Sequence, residues 1–266
     1  MPLDKDDADA LRNAVKLLEH PSLAARLTNL VGKPVGLMGL ALPAGASQAI
    51  ATATTKSLEA ALKVALLTIR NNHKDSSQLL HRALAMASGA AGGAFGILAL
   101  PLELPVSTII ILRSILDIAR SEGENLTDPE STLSCVEVLG LGGRAEIEKA
   151  GNSDYFFIRG LLATSVTEAA RFIAERGVVD AGAPVLARLI TQVASRFGLV
   201  VTQKAAAQTI PVIGALGGAA VNYAFIDHFQ SVARGHFTVR RLERKYGKDI
   251  VFAAYEQLRQ QLDPLK

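Results

Sequence analysis

The chain has 266 residues, 49% of them hydrophobic and 20% charged, with a net charge of +3 and a mean hydropathy of +0.27. That length can bury a large core; the single cysteine, Cys135, excludes an intrachain disulfide and a cysteine-rich zinc site; and so small a net charge gives no case for a nucleic-acid partner. Aromatic residues are only 5% and tryptophan is absent, so the apolar excess lies in Ala, Leu, Ile, Val and Gly, which suits thin helices packed at short range.

The opening stretch, MPLDKDDADA, is acidic and lacks a positive segment leading into an apolar one. No secretory leader is expected, and with one cysteine the natural setting is the reducing cytosol. Residues 4–31 read as an acidic amphipathic helical start interrupted at Pro21-Ser22. An uncharged run follows from Pro34 to Thr55. Residues 56–70 give the cleanest amphipathic helix: Leu58, Ala61, Leu62, Ala65, Leu66 and Ile69 share one face at 3.6-residue spacing.

A second uncharged run covers Ala83 to Leu102. Pro101 and Pro105 bracket Glu103, so the spacing predicts a helix, a kink at LPLELP, and a second helix over about 106–120, a kinked helical hairpin. Residues 121–130 form an acidic loop in which Thr127–Glu130 has capping-box spacing and Asp128-Pro129 is an alternative helix start. Gly140, Gly142 and Gly143 mark a break. Further helices are expected over about 164–176, closed by Gly177, and from Pro184 past Phe197. The third uncharged run is Ala205 to Ile226. After it come six Lys/Arg and one Glu between Arg234 and Lys248, then Gly247 as a helix stop and Asp249 as a cap for the last helix.

Each uncharged run reaches 20 residues or slightly more, the minimum for crossing a bilayer, yet each contains Pro, Gly and hydroxyl or amide side chains. Four GxxxG pairs (Gly32/Gly36, Gly89/Gly93, Gly92/Gly96 and Gly214/Gly218) point to closely packed helices. Three readings stay open: a buried helical core, a fold that docks on a membrane with one hairpin inserted, and permanent spanning. The fold class expected is all-α, a multi-helix bundle of Gly/Ala-rich apolar helices. It would form a single domain over 1–266, with 1–50 readable as an extra N-terminal helical segment.

Two blocks, LALPLELPVSTIIILRSILDIARSEGE (98–124) and IPVIGALGGAAVNYAFIDHFQ (210–230), together with ARGHFTVRRLERKYG (233–247), resemble the signature blocks of the EcsC family of bacterial proteins. The resemblance runs from about residue 50 to 255. It implies a helical fold and, because the family is named for a protein encoded beside an ABC transporter, work at or near a membrane. It implies no set of catalytic residues. Some members carry a peptidase label, which the residues here must support by themselves.

They give it little support. HExxH, GxSxG and GxxxxGK[ST] are absent, and no two of His20, His73, His81, His228 and His236 lie four apart. The histidines read as surface or boundary residues, and Cys135 as a small core residue. No catalytic residue, metal or cofactor is expected. More informative are the polar residues set in apolar helices: Glu103, the ladder Arg113–Asp117–Arg120, Asn222 and Asp227. They read either as buried pairs that fix helix register or as a site for a ligand head group. The leading expectation is a non-enzymatic, membrane-associated protein, cytoplasmic and peripheral to the inner membrane. Arg234, Arg240, Arg241, Arg244 and Lys245 would contact anionic lipid head groups, or the partner would be a membrane protein such as a transporter subunit. A hydrolase using Glu103, Asp117 or His228/His236, possible with a metal, and a soluble scaffold are the alternatives.

Overall fold

The computed structural model describes residues 3–19, 23–31, 45–71, 100–143, 155–177, 182–208 and 214–262. Among these residues there are nine α-helices and no strand: α1 (Lys5–Glu19), α2 (Leu23–Val31), α3 (Ala46–Asn71), α4 (Leu100–Ser121), α5 (Pro129–Leu141), α6 (Tyr155–Arg176), α7 (Pro184–Gln208), α8 (Gly214–Tyr246) and α9 (Lys248–Leu262). The fold is an all-α bundle.

Local chemistry sets the helix ends. Asp4 Oδ1 accepts the Asp7 amide at 2.9 Å and caps α1, whose first turn carries Asp6 and Asp7 where the helix dipole favours acids. Of the two starts open for α5, Asp128-Pro129 is used: the Asp128 carboxylate accepts from the Ser131 amide at 2.9 Å and Pro129 takes the first helical position. Gly177 (φ +76°) closes α6 and Gly247 (φ +91°) closes α8, both in the left-handed region that costs glycine little. Asp249 lies in the first turn of α9 and Gly247 precedes that helix, so the expected Asp249 cap is displaced.

Two expectations for the apolar segments change. No break falls at Pro105: α4 starts at Leu100 and passes through it. Pro101 is in the first turn, where its missing N–H has no intrahelical acceptor, so only Pro105 forfeits a bond. Burial of Leu104, Ile111, Leu112, Ile115 and Ala119 outweighs that loss. The first arm of the expected hairpin lies outside the described residues. The third uncharged run and the basic tail, read as separate segments, belong in part to one 33-residue helix, α8.

Buried apolar residues from all nine helices join one core, from Leu11 on α1 to Tyr255 on α9. The amphipathic face read in 56–70 is its α3 contribution: Leu58, Ala61, Leu62 and Ala65 are fully buried. Phe197, Phe225 and Phe229 stack between α7 and α8 with ring centroids 5.2–6.1 Å apart. Three of the GxxxG pairs fall outside the described residues, and Gly214 and Gly218 lie on the first turns of α8. The tight helix crossings use other glycines. A Cβ at Gly235 would stand 2.6 Å from Leu18 Cγ, so glycine lets α8 approach α1; a Cβ at Gly143 would collide with the Arg196 backbone carbonyl.

Gly143→Ala is therefore expected to lower stability by about 1–3 kcal/mol, because a backbone carbonyl cannot move aside. Gly160→Ala, mid-helix with nothing near the added carbon, is expected to raise it by about 0.5–1 kcal/mol. Urea unfolding of the two variants against the native chain measures both, and a stability unchanged by Gly143→Ala would contradict the crossing.

Candidate functional site

Three polar assemblies stand out from this apolar frame. The first surrounds Lys204, on the buried stripe of α7 formed by Leu186, Leu189, Val193, Phe197 and Val201. Lys204 is 0% exposed. Its Nζ donates to Glu103 Oε1 on α4 at 2.6 Å and to Asn222 Oδ1 on α8 at 2.9 Å, and stands 4.7 Å from the centre of the Phe225 ring. Gln208 Nε2 donates to the second Glu103 oxygen at 3.3 Å. One ammonium thus ties three helices together.

This assembly gathers two of the residues singled out in the sequence, Glu103 and Asn222, and separates the others. Asp117 pairs with Arg120 at 3.3 Å, while Arg113 is exposed. Asp227 pairs with Arg26 of α2. Lys204 itself was missed, although it continues the apolar spacing of α7 and Glu103 required a cation.

The second assembly involves the basic end of α8. Arg240 grips both Glu124 oxygens at 2.9 and 3.1 Å, and Arg244 also reaches Glu124 and donates to the Glu122 carbonyl at 2.7 Å. Arg241 bridges Glu122 at 2.8 Å and Asp7 at 3.0 Å. Lys245 bridges Asp4 at 2.9 Å and Asp7 at 2.6 Å, with the Tyr246 hydroxyl 2.9 Å from both acids and its one proton shared between them. Four of the five cations expected to meet lipid head groups are thereby engaged with the acidic N-terminus and the 121–130 loop; Arg234 is half-buried. Burial would raise the Glu124 carboxyl, but the hydrogen bonds and charge of Arg240 and the charge of Arg244 win and hold it below its ordinary value. The hydrogen bonds of Asp7 and Asp4 raise the Lys245 ammonium.

The third assembly lies where α5, α6, α8 and α9 meet, around a cavity of about 500 Å3. Arg159 on α6 holds Glu243 on α8 in a two-point pair at 2.8 and 2.7 Å. It also donates to the Tyr155 hydroxyl at 3.3 Å, and that hydroxyl shares a 2.9 Å hydrogen bond with His236 Nδ1. His236 is fully buried, and burial, reinforced by Arg159 and Arg240, keeps the imidazole well below its ordinary value and so neutral. His228 is also buried and donates from Nε2 to the Gly142 carbonyl at 2.9 Å. Both histidines are thus core residues and not the surface or boundary ones expected; His20, His73 and His81 lie outside the described residues. Glu137 on α5 was missed, though an acid inside LSCVEVLGL demands the question asked of Glu103. Burial pushes its carboxyl up to about 7, against the pull of Arg159 and Arg240.

Cys135 is fully buried with its thiol pushed far up by burial, so it has no thiolate to offer as a nucleophile. Among the described residues no three His, Cys, Asp or Glu side chains stand together as metal ligands. The fold and these assemblies define a class: a helical bundle whose buried charges are organised as inter-helix ties. Residues 7–242 match the EcsC protein family, and the chain belongs to that family. The match begins at residue 7, earlier than the resemblance from about residue 50. No curated protein and no solved structure matches the chain.

Two outcomes follow. Lys204→Met, which strands Glu103 in the core, is expected to cost about 3–5 kcal/mol in urea unfolding, and Lys204→Met with Glu103→Leu to recover most of it. Glu137 holds its proton up to about 7 when folded but only to about 4.5 when unfolded. Between those values the folded chain binds more protons, so stability falls as pH rises, by up to about 3 kcal/mol. Glu137→Gln removes this slope. Measured against the native chain, which shares His236, the variant gains stability as pH rises through that window; parallel stability curves would refute the assignment.

Proposed function

We propose that this is a non-enzymatic, membrane-associated helical protein that engages lipid, or a membrane protein such as a transporter subunit, through apolar side chains, as a peripheral protein on the cytoplasmic face of the inner membrane. The observation that supports this reading is the outward face of the three helices Lys204 ties together. Leu102 (81% exposed) and Val106 on α4, Leu199 on α7 and Tyr223 on α8 are all exposed, each within two helical turns of the Lys204 centre along its own helix. Isolated exposed apolar residues are ordinary; here four stand on the three helices that the Lys204 centre joins.

Helix α7 adds support. Among the described helices it is the one long and apolar enough to cross a bilayer, with a mean hydropathy of 1.3 over its most apolar stretch, and only 39% of that stretch is buried. A core helix also meets the length test, so the exposure carries more weight than the length. The uncharged runs lead into α3 and α8, which pack against it, and into α4, which the Lys204–Glu103 pair ties to it.

The head-group role of the basic helix is the weaker part. Anionic lipid would have to displace Asp4, Asp7, Glu122 and Glu124 from Arg240, Arg241, Arg244 and Lys245 before it could use them. Apolar contact therefore leads.

Flotation with vesicles checks this. The native chain is expected to float with zwitterionic as well as anionic vesicles and to stay bound at high salt, since an apolar contact is not screened. Leu102→Asp with Val106→Asp should cut recovery at least about fivefold while leaving the helical circular dichroism intact. A native chain that stays at the bottom of the gradient with both lipids would end the reading.

A further inference from the structure

The cavity between α5, α6, α8 and α9 has a polar end whose hydrogen bonds are incomplete. Ser134 and Glu137 lie one turn apart on α5 and are 1% and 3% exposed. Both line the cavity, and among the described residues neither Ser134 Oγ nor Glu137 Oε1 has a hydrogen-bond partner. An occupant that hydrogen-bonds to such groups would offset a cost of about 1–3 kcal/mol each.

The neighbouring charges show which occupant fits. Arg159 is taken by Glu243 at 2.8 and 2.7 Å, and Arg240 and Arg244 are taken by Glu124. Lys248, exposed, is the remaining cation of the lining, and three further acids, Glu130, Glu137 and Asp249, outnumber it. Among the described residues Glu137 is a buried acid of this lining in no ion pair, though Arg159 and Arg240 act on it through their charge. An ammonium group offers three donors and a positive charge, enough for the carboxylate and the hydroxyl together. Two rings flank the same space: Phe156 and Phe252, edge to face with centroids 5.0 Å apart, Phe252 being 47% exposed. Rings present an electron-rich face to an organic cation and an apolar face to its body.

We propose that this cavity is a binding site for an organic ammonium compound, with Glu137 and Ser134 receiving the cationic head and Phe156 and Phe252 holding the apolar body. The volume, about 500 Å3, lies in the usual range for a small-molecule site and accommodates a one-ring amine with room to spare. The site stands apart from the apolar face of the membrane reading and does not depend on it.

The experiment is calorimetric titration of the full chain at about pH 8 with phenethylamine and, separately, with 2-phenylethanol, which matches its shape without the charge. Phenethylamine is expected to bind saturably at one site per chain, and the alcohol at least about tenfold more weakly. Glu137→Gln keeps the shape of the side chain and removes its charge; it should erase the difference between the two probes. Phe252→Ala, at a half-exposed position, should weaken both. Absence of saturable phenethylamine binding to the native chain, equal binding of the two probes, or an amine preference that survives Glu137→Gln in a folded variant would each overturn the proposal.

Discussion

A charge withdrawn from water must find its counter-charge inside the fold, and in this protein that requirement falls on Lys204. Its ammonium is wholly enclosed, its stem lies on the apolar stripe of α7, and the first acceptor within reach is a carboxylate on another helix, Glu103 of α4. Because the cost of leaving either ion unpaired is several kcal/mol, few alternative placements of α4 relative to α7 survive. Asn222 extends the same constraint to α8. Apolar packing alone discriminates poorly among helices made of Ala, Leu, Ile and Val, since a slip by one turn buries nearly as much area. A hydrogen-bonded ion pair does not tolerate the slip. The Gly/Ala-rich composition and the buried pair therefore belong together: the first allows close approach, the second selects one arrangement.

Electrostatics acts differently at the other end of α8. There the cations are half-buried or exposed and the acids come from the first residues of the chain and from the α4–α5 loop. Individual exposed pairs of this kind contribute little. Their number matters, because Asp7 meets both Arg241 and Lys245, and Glu124 meets both Arg240 and Arg244, so each acid is shared between two cations. The network fastens α1 and the acidic loop to α8 across more than a hundred residues of sequence. A basic stripe that looks free along the sequence is in the fold a docking strip for the protein's own acids.

Helix existence was legible because it rests on local signals. The face of Leu58, Ala61, Leu62 and Ala65, the Asp128-Pro129 start and the glycines at 177 and 247 need no knowledge of the rest of the chain. Prolines misled where burial overrode them: Pro105 predicts a break, and the packing of Leu104 and Ile111 forbids one. Part of the polar site was legible by the same burial logic. Glu103 and Asn222 are conspicuous in apolar stretches, and the need for a partner could be stated. Which partner could not, because Lys204 lies a hundred residues away and pairing across that distance leaves no periodic trace. Glu137 was passed over for a related reason. Its neighbours Glu130 and Arg144 make the region look ordinarily charged, and only the fold shows that residues 131–141 are buried on every side.

The two polar centres of α8 are far apart. Asn222 and Glu243 are separated by 21 residues, about 30 Å along an unbroken helix. Coupling between sites at that distance requires an element with two discrete arrangements that both sites bias. α8 has no such seam among its described residues: it is helical from Gly214 to Tyr246, crosses α1 tightly at Gly235, and is pinned by Lys204 at one end and Arg159 at the other. A rod pinned at both ends transmits position but does not switch. Occupation of the Glu137 cavity and contact through the Leu102 face should therefore add independently, each changing stability without changing the affinity of the other. The acid-bound basic strip differs, because its half-exposed ties are the ones salt and competing anions can loosen.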